Sequence, residues 1–204
     1  MMILWRRRSR DSGELFEDGS QRSYFPTGFQ FYVYGETLYD SSVSFEELKE
    51  DYFSHAFGEN WKAVVEYLEK LRDLMDYSYF FGIRSIDKTK GSYYCPEMQT
   101  KANEARKVVE AFEPVIKANK NQDYRASAVA WQLLEIHCDL MKDFTEMVAH
   151  KCVGENEEAI QLIDKMIDSL SRTEIYIERY YDHYMFARGL ERYAERKKKK
   201  GLLS

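Results

Sequence analysis

The sequence predicts an all-α fold, an antiparallel bundle of about four long helices with one or two shorter N-terminal helices. From Glu59 onward, apolar residues recur at intervals of three and four, the spacing that lines one face of a helix. The connections between these runs are short, which sets successive helices antiparallel. With 204 residues, 44% of them hydrophobic and 32% charged, the chain is long enough for one well-packed domain, or for one domain with an appendage.

Residues 1–23 are polar, interrupted by Gly and Ser, and carry charges of both signs, so they read as a loose arm. Phe25-Pro26-Thr27-Gly28 is an aromatic turn that opens an amphipathic run ending at Tyr39-Asp40. On a helix over residues 29–39, Phe29, Tyr32, Val33 and Tyr39 would face a partner. The string FQFYVY has enough β-propensity to start a strand instead, and Gly35 weakens either reading. Ser44 is a good N-cap with Glu47 three residues on, the capping-box spacing, and this second helix stops at Gly58.

Trp61, Val64, Leu68, Leu71 and Met75 place one apolar stripe on a helix running to about Tyr79, with Phe80-Phe81-Gly82 ending it. A loop containing Gly91 and Tyr93-Tyr94-Cys95-Pro96 leads to the next stripe, Met98, Ala102, Ala105, Val109, Phe112 and Ile116. Pro114 lies inside it and should kink or end the helix near its last turn, because proline lacks the backbone donor and crowds the preceding turn. Asn119-Lys120-Asn121 is the connecting turn. Trp131, Leu134, Cys138, Met141 and Val148, with Phe144 filling a gap, mark a further helix that stops at Gly154. Ile160, Ile163, Ile167, Leu170, Ile177, Tyr181 and Tyr184 mark the last, which Glu174 interrupts; it is expected to reach about Glu195 and to be the longest.

The stretch from Phe25 to Gly58, with its aromatic-Pro-x-Gly turn and its DYFSHAFG close, resembles a segment near the end of a bacterial family of unknown function. These are glycoside-hydrolase-like proteins whose (β/α) barrel is followed by a helical C-terminal region. The resemblance covers about Ser20 to about Ala194. It implies carbohydrate handling, with reactive carboxylates in a barrel that would precede Ser20. A complete barrel takes roughly 250 residues, whereas only residues 1–40 precede Ser41.

The chain therefore reads as the family's C-terminal region standing alone. Residues 1–43 would be an arm and barrel-derived remnant, 44–196 the helical bundle domain and 197–204 a basic tail. The resemblance implies a non-catalytic module that buttresses or docks on a barrel, with glycoside hydrolysis only if the missing barrel completes it. The alternative is a stand-alone helical interaction module unrelated to sugars. Phe29, Phe31, Tyr32 and Tyr34 would lose barrel cover and drive docking on a barrel or self-association. Arg22, Tyr24 and Phe25 are the sugar-facing candidates, since in a barrel the loop after a strand's C-terminal end faces the active site.

Composition narrows the partners. A net charge of -5 and a pI near 5.5 argue against nucleic acid, which needs a basic field over a face. Aromatic residues make up 15% of the chain, and such rings fill cores as well as stack on sugars. No run approaches 18 apolar residues, so no membrane span is expected. MMILWRRRSR puts its apolar run before the arginines, the reverse of a secretory signal, so the protein as written reads as cytoplasmic, and as exported only if an upstream segment carries a signal. The basic run after Glu195 suits the negative end of a helix. The aromatic segment from Tyr180 to Phe186 should be buried by more than one neighbour, or else serve as an interaction patch.

No catalytic residue and no cofactor is assigned. Glu36 and Asp40 share one helical face at i, i+4, but a glycosidase pair must span a bound sugar across a pocket, so they read as a solvated face. Cys95, Cys138 and Cys152 show neither a metal-like spacing nor a disulfide framework, and reduced thiols are expected. His137 and Cys138 point about 100° apart on a helix, and His150 and Cys152 lie on nearly opposite sides, so neither pair chelates a metal alone. The purified protein should carry no stoichiometric zinc. Elemental analysis checks this, and one tightly held zinc lost on changing Cys138 or His150 would overturn it.

Overall fold

The backbone N–H groups at the start of a helix need partners, and Ser44 supplies one in the anticipated way. Its Oγ accepts from the Glu47 N–H at 3.2 Å, while the Glu47 carboxylate accepts from the Ser44 N–H at 2.9 Å. The computed structural model describes residues 25–196, and over them the chain is an all-α bundle. In chain order the helices are α1 (Phe29–Tyr39), α2 (Phe45–Phe57), α3 (Trp61–Leu74), α4 (Tyr77–Phe80), α5 (Glu97–Asn119), α6 (Arg125–Lys151), α7 (Asn156–Ile177) and α8 (His183–Ala194). A 3-10 turn, Gly58–Asn60, separates α2 from α3, and Gly58 takes the positive φ of 62° that ends α2.

The principal neighbours in space are α5 with α6, α6 with α7, α7 with α8, α3 with α5, and α2 with α1, α3 and α6. Two apolar clusters result. The first joins Phe29, Phe53, Phe57, Val64, Tyr67 and Leu71 to Val109, Phe112, Trp131 and Leu134. The second joins Met98, Ala102, Leu133, Leu140 and Met147 to Ile163, Met166, Leu170, Ile177 and Leu190. Helix α6 separates them, with Trp131, Leu134 and Cys138 on one side and Leu133, Leu140 and Met147 on the other. Phe25 and Phe29 belong to these clusters, so packing continues across residue 43 into the bundle.

All six positions of the stripe expected on α5 are buried. Its proline departs from expectation: the helix runs through Pro114 to Asn119. Pro114 and Glu110, whose carbonyl it leaves without a helical donor, are both on the exposed side of α5, while Phe112 and Ile116 hold the last turns in the core. The helix expected to run from Glu59 to Tyr79 is instead two, because Met75 and Asp76 turn extended. The Asp76 side chain accepts from the Ser78 N–H at 2.8 Å and pairs with Arg84 at 2.8 Å, which starts α4 in a new direction.

The last expected helix is likewise two. Asp182 leaves helical geometry and accepts from the Met185 N–H at 3.0 Å, capping α8, and the break buries Tyr181. That leaves the 27-residue α6 as the longest helix, in place of the C-terminal one. Glu174, the interruption in the stripe, faces His183 at 3.1 Å across this break. Two residues assigned to buried faces prove exposed: Tyr39 at 92% and Tyr184 at 59%.

Among the described residues, one cation is buried. Lys151, at the end of α6, is 3% exposed, with its ammonium 2.7 Å from Glu195 Oε2 and 2.6 Å from Asn156 Oδ1. Glu195 adopts a left-handed φ of 45° after α8 and accepts from the Ser92 N–H at 3.0 Å. This ties the 82–96 loop, the α6–α7 corner and the end of α8 together.

Leu134 is fully buried in the first cluster. Leu134→Ala should lower unfolding free energy by about 2–5 kcal/mol in urea titration; a loss below about 1 kcal/mol would place this face of α6 outside the core.

Candidate functional site

A cleft of about 210 Å3 lies where the start of α1 meets α2, α3 and α6. Phe29, Phe45, Phe53, Val65, Leu68 and Met141 form its apolar walls, and Lys49, Glu69, Arg72 and His137 are its charged or titratable members. Pro26 and Thr27, from the aromatic turn, line one side. The Gly28 N–H donates to Tyr52 Oη at 2.8 Å and so fixes the turn against α2. The preceding Phe25–Pro26 peptide is cis.

The polar members are matched to one another or to neighbours. Lys49 Nζ is 2.6 Å from Glu46 and 3.6 Å from Glu69, and Glu46 leads in raising its pKa. Arg72 pairs with Asp73 at 2.9 Å. His137 Nδ1 is 3.2 Å from Tyr67 Oη, and burial pushes its imidazole down to about 3, so the ring is neutral at physiological pH. Cys138 is buried in the first cluster, where its thiol donates to the Val109 carbonyl at 3.6 Å and burial raises its pKa to about 11. The cleft can therefore receive an apolar or aromatic group against ring faces, with hydrogen bonding at a neutral imidazole.

Of the sugar-facing candidates, Arg22 and Tyr24 lie outside the described residues. Phe25 is 9% exposed beside the cleft, with its ring centroid 4.5 Å from Tyr181 and 5.7 Å from His137. Among the residues proposed to seek a partner, Phe29 is buried against Phe45, Tyr52 and Phe53. Tyr32 packs on Tyr52 and donates to Asp51, Phe31 is half-buried, and Tyr34 is exposed. Asp40 is exposed and accepts from both the Ser42 N–H and its hydroxyl. The basic run beyond Arg196 lies outside the described residues, while Arg196 itself pairs with Asp164 and Glu191.

Among the described residues, most of the exposed large apolar side chains fall in three stretches. Tyr34, Leu38 and Tyr39 lie along α1; Tyr77, Phe81, Ile83 and Ile86 on α4 and the loop after it; and Ile175, Tyr176, Tyr184 and Met185 at the α7–α8 break. Among the described residues, no three of His, Cys, Asp and Glu converge as a metal site, and no helix is long and apolar enough to cross a membrane. The cleft escaped sequence reasoning because its walls come from four separate helices, which no local periodicity reports. The exposed row on α1 was legible only in Tyr34. Comparison with family models, with curated proteins and with solved structures gives no match for this chain.

The depressed pKa of His137 sets a sign. The folded imidazole binds its proton only near pH 3, whereas the unfolded one binds near pH 6.5. Between these values the unfolded chain holds more protons, so this contribution to stability is intact above about pH 6.5 and falls as pH is lowered, by no more than about 1.4 kcal/mol per pH unit. Urea titrations from pH 7 to pH 4 should show a shallower decline for His137→Gln than for the parent; parallel curves would mean the ring is accessible to protons in the fold.

Proposed function

We propose that this protein is a non-catalytic helical module that docks on, and buttresses, the barrel of a carbohydrate-active, glycoside-hydrolase-like protein. The observation that carries the reading is the α1 surface: Tyr34, Leu38 and Tyr39 are 46%, 56% and 92% exposed on one short helix whose first turn lines an apolar cleft. Exposed aromatic and aliphatic side chains in a row mark contact surfaces in soluble domains. In the resembled architecture this helix is the one that would meet the barrel. The sugar-facing assignment of Arg22, Tyr24 and Phe25 belongs to the same proposal, since the Phe25 turn leads into the cleft wall.

A second reading, a stand-alone interaction module unrelated to sugars, draws on the α7–α8 break. Ile175, Tyr176, Tyr184 and Met185 form another exposed apolar group there, on an element that the barrel proposal leaves unused.

The two readings part in solution. Without a barrel, the α1 surface should drive concentration-dependent self-association in sedimentation experiments, and Tyr34→Ser with Leu38→Ser should abolish it. Association that persists in that variant but is lost with Ile175→Ser and Tyr176→Ser would favour the second reading. A strictly monomeric parent at high concentration, with solubility unchanged by any of these substitutions, would remove the docking proposal.

A further inference from the structure

Two of the three cysteines, far apart in the sequence, are brought together by the backbone. The Cys95 N–H donates to the Cys152 carbonyl at 2.8 Å. With standard bond lengths, that hydrogen bond holds the two Cα atoms within about 6.7 Å, inside the span a disulfide can bridge. Both residues are buried in the same apolar cluster, at 3% and 0% exposure. The thiols also act on each other and on a shared neighbour. Burial, with the Cys95 thiol adding to it, pushes Cys152 up to about 12. Both thiols raise the pKa of Tyr79, after burial as the leading cause, and the buried Tyr79 hydroxyl has no hydrogen-bond partner among the described residues.

We infer that Cys95 and Cys152 form an oxidation site, which a low-molecular-weight disulfide converts to an intramolecular disulfide fastening the 82–96 loop to the end of α6. The chemistry balances without any further reactant. One protein thiol, as its thiolate, attacks a sulfur of glutathione disulfide and expels one glutathione, leaving a mixed disulfide. The second protein thiolate attacks the protein-side sulfur of that bond and expels the second glutathione. Two protein thiols lose two electrons and two protons, and one glutathione disulfide becomes two glutathiones.

Burial makes Cys152 a poor nucleophile while the loop is closed, so exchange proceeds through opening of the segment that carries Cys95. Once formed, the bridge removes that opening. The loop also follows directly on Phe81 and carries Ile83 and Ile86, so oxidation fixes an exposed apolar group in place. Cys138 stands apart, in the other cluster with its thiol on the Val109 carbonyl, and serves as an internal control.

The test is equilibrium in glutathione redox buffers of graded ratio, with and without urea below the unfolding transition so that loop opening does not limit the result. The chain is then denatured, alkylated and mapped by mass spectrometry. The expected product joins the Cys95 and Cys152 peptides, leaves Cys138 alkylated, and melts about 5–15 °C higher than the reduced chain. Dithiothreitol should reverse both changes. Cys95→Ala and Cys152→Ser should each keep two alkylatable thiols and lose the oxidation-dependent rise in Tm. Three alkylatable thiols at the most oxidising ratio, glutathione left as mixed disulfides, a bridge involving Cys138, or chain-to-chain dimers would each overturn the inference.

Discussion

A helix that is apolar on two opposite faces must be covered on both, and the architecture follows from α6 meeting that condition. Trp131 and Leu134 face one cluster, while Leu133, between them and the paired stripe positions in sequence, faces the other. Helices α2, α3 and α5 cover the first side, and α7, backed by α8, covers the second. At about 1.5–3 kcal/mol for each large apolar side chain fully buried, neither side of α6 can be left open in a marginally stable domain. Helix α5 spans the same divide lengthwise, with Met98 and Ala102 in one cluster and Val109 and Phe112 in the other.

The parts legible in the sequence are those governed by neighbours along the chain. The capping box at Ser44, the stop at Gly58 and the α5 stripe depend on spacings of three to seven residues, and all three hold. What periodicity could not show is where a chain with continuous apolar spacing leaves the helix. At Asp76 and Asp182 a side-chain carboxylate that caps the following helix competes with helix continuation and wins, and at Tyr181 burial of a ring rewards the bend. The second face of α6 had a signal that a single stripe overlooks: Leu133, Leu140 and Met147 widen its apolar arc well beyond one side. The burial of Lys151 had none, because its partner Glu195 lies on another helix's end.

The same division explains why a chain rich in rings yields little chemistry. Phe29, Phe53, Phe57 and Trp131 form a run of contacts with centroids 5.0, 5.9 and 5.2 Å apart, which carries packing from α1 through α2 into α6. Those rings close the end of the bundle nearest the cleft. The Trp131 indole N–H is buried there without a partner among the described residues. His137 and Cys138, adjacent in sequence, point in different directions from the helix they share, His137 lining the cleft and Cys138 reaching the Val109 carbonyl, and both border Tyr67. Functional surface is thus left to the cleft and to the outward sides of short or terminal helices.

The Lys151–Glu195 pair bears on how α8 finds its alignment. Aliphatic contacts such as those of Leu190 and Ala194 are forgiving, since sliding a helix by one turn exchanges one apolar contact for another. A buried ammonium is not forgiving: moved by one turn, about 5.4 Å, the Glu195 carboxylate would leave Lys151 desolvated with Asn156 alone and would vacate the Ser92 N–H as well. The pair thus discriminates among registers that hydrophobic packing treats as nearly equivalent, and assigns α8 a single address.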